Sequence, residues 1–161
     1  GLPVTYLAAA TYMEDLLDEA EQIRSTGELR ASADDGRAGF ISVTDVAAAA
    51  ARVLTTSGHE GATYVLTGPE ALSYAGVAAE FARVLAWQVD YADQSEERER
   101  ELLLAQGRTA WEADGAIERF AWIRAGGADT VTGTAGELTG ASPRPLREWL
   151  ADSRAAFAGL S

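Results

Sequence analysis

An α/β fold that passes into a helical cap is what this sequence predicts, on three observations. Short runs rich in β-formers alternate with helical apolar stripes as far as residue 93. From residue 94 to residue 161 helical signals dominate. The chain of 161 residues is about one domain's length, and 47% apolar against 24% charged residues suffices to bury a core. No repeat or low-complexity tract interrupts it. No clean linker separates 1–93 from 94–161, so the two parts are expected to form one structural unit.

Each element has a local reason. Pro3 to Leu7 is short, apolar and rich in β-formers, which reads as a buried strand. Thr11 and Glu14 have the spacing of a capping box opening a helix, with Met13, Leu16, Leu17, Ala20 and Ile23 on its apolar stripe. Ser25, Thr26 and Gly27 stop that helix, Glu28 to Ser32 is a short extended piece, and Asp34-Asp35-Gly36 is turn chemistry. Phe40 to Val43 reads as a strand running into a helix from Val46 to Leu54, capped by Thr44 or Asp45. That helix is nearly all alanine on one side, which suits close packing on a sheet. Gly58 to Gly61 is loop, and Ala62 to Thr67 is a strand ended by Gly68-Pro69. Ser73 caps a helix striped by Tyr74, Val77, Ala78, Phe81 and Leu85, and Gln88 to Ala92 follows as strand.

Gln94 to Gln106 is a charged helix with one leucine cluster. Thr109 and Glu112 make a second capping box, for a helix through Arg124 that carries Trp111, Phe120 and Ile123 and ends at Gly126-Gly127. Thr130 to Thr134 shows no clear preference. Ser142-Pro143 marks a helix start with proline at its first position, and Leu146, Trp149, Leu150 and Phe157 form its apolar face.

Composition excludes several functions. Cysteine is absent and His59 is the single histidine, so disulfides, thiolate metal sites, a cysteine nucleophile and a histidine metal cluster are all excluded. All 13 basic residues are arginine against 25 acidic residues, and a net charge of −12 argues against nucleic acid or an anionic membrane as partner. No apolar run nears the roughly 20 residues of a bilayer span and no signal peptide is read, so a cytoplasmic location is expected. The glycines include no Gly-x-Gly-x-x-Gly between a strand and a helix. Without lysine there is neither a P-loop nor a Tyr-x-x-x-Lys acid–base pair.

The remaining polar residues read as structure. Ser73 is a cap and Tyr74 an apolar helix position rather than a nucleophile and a general acid. His59 lies between glycines in a polar loop, and Asp45 at a strand end reads as an N-cap. Asp34-Asp35, Glu14-Asp15 and Glu96-Glu97 look like turns or solvated helix faces. Trp87, Trp111, Trp122 and Trp149 read as filling of core and cap. Tyr12 and Met13 directly follow the first strand, and ligands in open α/β sheets bind beyond the carboxyl ends of strands. Helical spacing also assigns Met13 to the core. No residue is assigned a catalytic role.

A strand leading into Thr11-Tyr12-Met13-Glu14-Asp15-Leu16-Leu17 comes first. Phe40-Ile41-Ser42-Val43-Thr44-Asp45-Val46-Ala47 and Tyr64-Val65-Leu66-Thr67-Gly68-Pro69-Glu70-Ala71-Leu72-Ser73 follow. That order resembles the NmrA-like family, a branch of the atypical short-chain dehydrogenase/reductase group. Leu138-Thr139-Gly140 with Pro143 and Trp149 is similar to the tail of bacterial members. The resemblance covers essentially the whole chain. It implies the C-terminal half of a Rossmann-like parallel sheet over 1–93, with a helical substrate-side cap and C-terminal helix over 94–161. NADP or NAD is the cofactor it implies for the full-length family. The glycine-rich loop and the residues selecting the 2′-phosphate are expected to precede Gly1, which opens abruptly onto strand-like sequence. This chain alone is therefore expected to hold no dinucleotide tightly.

In the family the turn after the first strand lies beside the nicotinamide. The resemblance so assigns Ala8, Ala9 and Ala10 to the cofactor and Thr11, Tyr12, Met13, Phe40 and Ile41 to the substrate pocket. Leu7-Ala8-Ala9 stands where relatives carry Leu-Arg-Pro. The implied function is the C-terminal portion of an NAD(P)H-dependent oxidoreductase of the quinone or small-molecule reductase type, supplying pocket walls and cap. The alternatives are a non-catalytic NAD(P)H-sensing regulator or protein-binding module, which the altered turn favours, and a cofactor-free isomerase or cyclase. Strand edges left open are expected to bring self-association or pairing with a missing N-terminal half.

Overall fold

The computed structural model describes residues 3–157; Gly1, before which the rest of the sheet is expected, lies outside them. In chain order, β1 (Tyr6–Ala9) and β2 (Thr11–Tyr12) lead into a 3-10 helix (Met13–Glu19) and α1 (Ala20–Thr26). Next come β3 (Glu28–Ala31), β4 (Arg37–Ile41), α2 (Val43–Thr55), β5 (Thr63–Leu66), β6 (Ala71–Ser73), α3 (Tyr74–Leu85) and β7 (Asp90–Asp93). The remainder is helical: α4 (Glu96–Ala105), α5 (Ala110–Arg124), α6 (Thr134–Thr139), α7 (Leu146–Asp152) and α8 (Arg154–Phe157). Strands β1 and β5, β2 and β4, and β3 and β7 pair in parallel, while β6 runs antiparallel to β4. Parallel neighbours require crossovers, and the alternating helices supply them. The predicted α/β class with a helical C-terminal part is what forms. Among the described residues no helix is long and apolar enough to cross a membrane.

The first strand changes partner along its length. Up to Ala9 it pairs with β5; the Ala10 N–H still donates to Leu66 O at 2.9 Å; then Thr11 and Tyr12 pair with Phe40 and Ile41. Gly68 permits the crowding at this point, because a Cβ there would fall 1.8 Å from the Phe40 carbonyl oxygen. Side chains alternate across a strand, so Phe40 enters a large core with Met13, Leu29, Phe81 and Phe157, while Ile41 enters a smaller one with Ala49, Leu66 and Ala135.

Several elements differ from expectation, each for a physical reason. Strand β1 begins at Tyr6 and is half open rather than buried, with Tyr6 and Ala8 exposed. Pro3 has no N–H to give, and the first ladder bond runs from Tyr6 N to Ala62 O. Thr11 and Glu14 form no capping box, since β4 takes the backbone of Thr11 and Tyr12 into its ladder. The Glu14 carboxylate instead accepts from Val43 N at 2.9 Å and from Trp149 Nε1 at 3.1 Å. Helix α2 is capped by Ser42, whose Oγ accepts from Asp45 N at 3.1 Å, so neither Thr44 nor Asp45 is its cap. Asp45 accepts from Ser42 Oγ and from Arg144 N at 3.0 Å. Of the α2 alanines only Ala49 is fully buried, against α6 as well as the strands.

Helix α7 begins at Leu146, not at Pro143. Arg144 precedes Pro145 and is steered away from helical backbone, and its N–H already serves Asp45. Strand β6 and helix α6 are too short for periodicity to announce. Trp111 and Trp122 are exposed rather than core filling, unlike Trp149. Other expectations hold. Ser73 accepts from Gly76 N, the α3 stripe from Tyr74 to Leu85 is buried, and Thr109 with Glu112 closes a full capping box on α5.

Glu14 joins three segments, so Glu14→Ala is expected to cost about 3 kcal/mol by stranding the Val43 N–H and the Trp149 indole. Glu14→Gln keeps an acceptor and should recover about half of that loss. Urea denaturation with both variants checks the order parent, glutamine, alanine.

Candidate functional site

The sequence-predicted site residues meet where β1 hands over to β2. Thr11 and Tyr12 lie in register with Phe40 and Ile41. Met13, Phe40 and Ile41 are packed inside the fold, and Thr11 and Tyr12 are half-buried. Ala9 and Ala10 pack on the smaller core, while Ala8 faces outward. The segment from Ala8 to Met13 carries no charge, so beyond its backbone it offers one hydroxyl, one phenol and small apolar surface. Its place at the carboxyl end of a parallel strand is where open α/β sheets take ligands. His59 lies apart and is held locally, by Tyr64 Oη at 2.8 Å and Thr56 Oγ1 at 2.7 Å.

A second concavity lies between the 3-10 helix, α4 and α5, and encloses about 380 Å³. Positions three apart eclipse in a 3-10 helix, which stacks Asp15 and Asp18 on one face with Glu19 beside them. Helix α4 presents Glu99 and Leu103 at i,i+4 spacing, and α5 presents Glu112, Gly115, Ala116 and Arg119 on one face. The small pair Gly115 and Ala116 leaves the space open. Glu99 is only 6% exposed, and its Oε2 finds no hydrogen-bond partner among the described residues.

The electrostatics follow from that burial. Loss of water pushes the Glu19 carboxyl up to about 7, the like charges of Glu99 and Asp18 add to the rise, and Arg30 and Arg119 oppose it. Burial raises Glu99 and Asp15 as well, against the pull of Arg119. Arg119 is divided among many neighbours: its guanidinium lies 4.6 Å from the Phe120 ring centroid and its Nη1 donates to Tyr74 Oη at 3.4 Å. Asp18 is paired with Arg108, and Glu112 is held by Thr109 N at 2.7 Å. Among the described residues no group of carboxylates is arranged to hold a metal ion. Sequence reasoning passed over this cleft because Glu14-Asp15 and the α4 charges look like solvated faces. The readable signal was a small-residue pair on α5 flanked by charges at the same helical spacing.

No family model matches the chain. It is 34% identical over 158 residues to the (4-alkanoyl-5-oxo-2,5-dihydrofuran-3-yl)methyl phosphate reductase of Streptomyces griseus, covering 98% of this chain and 56% of that protein. It is 31% identical over 157 residues to the NAD(P)H azoreductase of Xenophilus azovorans, covering 98% of this chain and 55% of that protein. The solved structure of the NADPH-dependent quinone oxidoreductase of Escherichia coli, complexed with NADPH, matches with a TM-score of 0.85 at 29% identity. That match covers 94% of this chain and 54% of the other. The chain spans about half the length of the curated relatives it matches.

The raised carboxyls give stability a definite pH dependence. Glu19 titrates at about 7 when folded and near 4.5 when unfolded, so the folded state holds a proton that the unfolded state releases between those values. Stability is full below about pH 4.5 and falls as the pH rises to about 7, with Glu99 and Asp15 acting in the same sense. Glu19→Gln cannot ionise and is expected to gain on the order of 2 kcal/mol at about pH 8, discounted for partial exposure, and little at about pH 4.5. Urea melts of both proteins at the two pH values decide; parallel curves would refute it.

Proposed function

We propose that this chain, which belongs to the NmrA-like family of NAD(P)H-dependent reductases, is the C-terminal, substrate-side portion of such an oxidoreductase. The observation that carries the reading is the match to the NADPH-bound quinone oxidoreductase over 94% of this chain and only 54% of that one. The residues present fit one end of a dinucleotide. Ala8, Ala9 and Ala10 offer an uncharged, sterically open turn against which a nicotinamide ring can lie. They do not fit the other end: no lysine is present, and no glycine turn leads from a strand into a helix to receive a pyrophosphate.

The chain's own contribution is then positional. When bound, the nicotinamide supplies the hydride. Tyr12 and Thr11 border the turn, Met13, Phe40 and Ile41 back it with packed apolar surface, and the helical C-terminal part restricts water. The edge of β1 away from β5 is unpaired among the described residues and would take a strand from the rest of the sheet. Quinones or comparable small acceptors are the proposed substrates. A nucleotide-sensing regulator is the second reading, favoured by the alanine turn, which sets no long side chain beside the ring.

Two measurements test this. Calorimetric titration of the 161-residue chain with NADPH is expected to give a dissociation constant of about 1 mM or weaker, since ring contacts lack a phosphate anchor. A micromolar value would mean that the chain carries a phosphate site of its own. NADPH oxidation with a simple quinone, on the chain extended upstream through its reading frame, is expected to show quinone-dependent turnover. Tight nucleotide binding without turnover would select the regulator.

A further inference from the structure

We propose that the mouth where β1, β4 and β5 end selects its acceptor by charge, admitting an uncharged or cationic ring and refusing an anionic one. The inference rests on the reductase reading for what enters there, and on this chain alone for the charge it meets.

The chain carries 25 acidic and 13 basic residues, yet the segments gathered here hold none of them. Residues 3–13, 38–44, 61–69 and 130–136 are all uncharged. Past the strand ends the first charge is a carboxylate each time: Glu14 after β2, Asp45 after β4 and Glu70 after β5. Hydrogen bonds bring the four segments together. Ala10 N donates to Leu66 O at 2.9 Å, and Thr11 and Tyr12 pair with Phe40 and Ile41. Thr132 N donates to Thr67 Oγ1 at 2.9 Å, and Thr132 Oγ1 to Val65 O at 2.7 Å. The side chains left in water are apolar: Tyr6, Val43, Val65 and Val131 stand exposed, each from a different segment.

An anion leaving water needs a cation or several N–H groups to replace it. The natural seat would be the start of α2, since the N-terminus of a long helix presents free N–H groups and the positive end of its dipole. That seat is filled from within. Val43 N donates to the Glu14 carboxylate at 2.9 Å, and Asp45 N to Ser42 Oγ at 3.1 Å. The arginines brought towards the mouth are committed as well. Arg37, which opens β4, donates to Ala71 O at 2.6 Å and pairs with Asp129. Arg144, whose N–H holds Asp45, has its guanidinium on Asp152 at 2.7 Å. An uncharged ring needs no such partner, and a cation is drawn in by the net charge of −12.

The test is titration of the 161-residue chain, followed through its amide NMR signals, with three rings of one shape. These are 1,4-naphthoquinone, its 2-sulfonate and a derivative with a trimethylammonium-methyl arm at the same position. Without cysteine or lysine the chain offers them no thiol or side-chain amine to alkylate. The neutral ring is expected to bind with a dissociation constant of about 1 mM and to shift the amides of Ala8 to Met13. The cationic ring should bind as tightly or more so, and the sulfonate at least about tenfold more weakly. Ala8→Arg, at an exposed position, sets a cation at the mouth and is expected to bring the sulfonate within about threefold of the neutral ring. Leu54→Arg adds the same charge at an exposed position about 16 Å along α2 from Val43 and should leave the gap unchanged.

A sulfonate that binds as well as the neutral ring would overturn the proposal. So would a neutral ring that leaves the Ala8 to Met13 amides unmoved, or a gap that Ala8→Arg leaves open. A gap closed equally by Leu54→Arg would overturn it too, because net charge and not the mouth would then be selecting. Turnover of the upstream-extended chain with NADPH judges the reductase reading separately. Equal turnover of sulfonate and neutral ring keeps the reductase and removes the charge selection; the binding order without any turnover keeps the selection and removes the reductase.

Discussion

One carboxylate, that of Glu14, sets the geometry on which the rest depends. It accepts from the backbone at the start of α2 and from the indole of Trp149 on α7, and so ties residue 14 to two stretches far along the chain. A carboxylate engaged in this way cannot turn back to cap its own helix. Thr11 and Tyr12 are therefore free to extend the sheet, and the helix opens as a 3-10 turn at Met13. Asp45 does comparable work for the same C-terminal stretch by holding Arg144 N. Two acidic side chains thus fasten the C-terminal helices onto the parallel strands.

The remaining acidic charge divides into two populations with different energetic meaning. Most ion pairs, such as Arg98 with Glu101 or Arg144 with Asp152, are exposed and contribute little net stability. Glu99 is withdrawn from water and Glu19 partly so, around one shared arginine, and loss of water raises both, as it does the more exposed Asp15. A fold seeking only stability would place apolar side chains there. Retaining carboxyls there instead costs the fold stability at neutral pH, because each must either hold a proton or ionise in poor solvent.

Identical local signals had opposite outcomes in this chain, which shows where legibility ends. Thr109 and Glu112 form the capping box their spacing predicts, because nothing competes for the backbone of Thr109. Thr11 and Glu14 carry the same spacing and do not, because β4 offers a ladder to Thr11 and Tyr12 while Val43 and Trp149 offer donors to Glu14. The α3 stripe was legible since its periodicity is itself the packing face. Ser42, the cap of α2, fell inside the predicted strand from Phe40 to Val43 and was hidden by it. The acidic cleft was legible only on its α5 wall, because the 3-10 helix that faces consecutive α4 and α5 lies about eighty residues earlier in the chain and only the tertiary fold brings it there.

The alanine turn and the acidic cleft are joined by the 3-10 helix. Its hydrogen bonds are poorer than those of an α-helix, so its own ladder does not make it stiff. Rigidity comes from its flanks. Met13 and Leu16 are buried in the large core at one end, Ala20 and Ile23 continue that core at the other, and Glu14 is bonded twice. The exposed turn positions Asp15 and Asp18 and the half-buried Glu19 are consequently carried on a frame they do not themselves stabilise. That separation is what allows acidic side chains to be held close together with Glu19 half out of water. Their mutual repulsion is borne by apolar contacts and by Glu14, and their proton affinity is a property of the tertiary fold rather than of the local sequence.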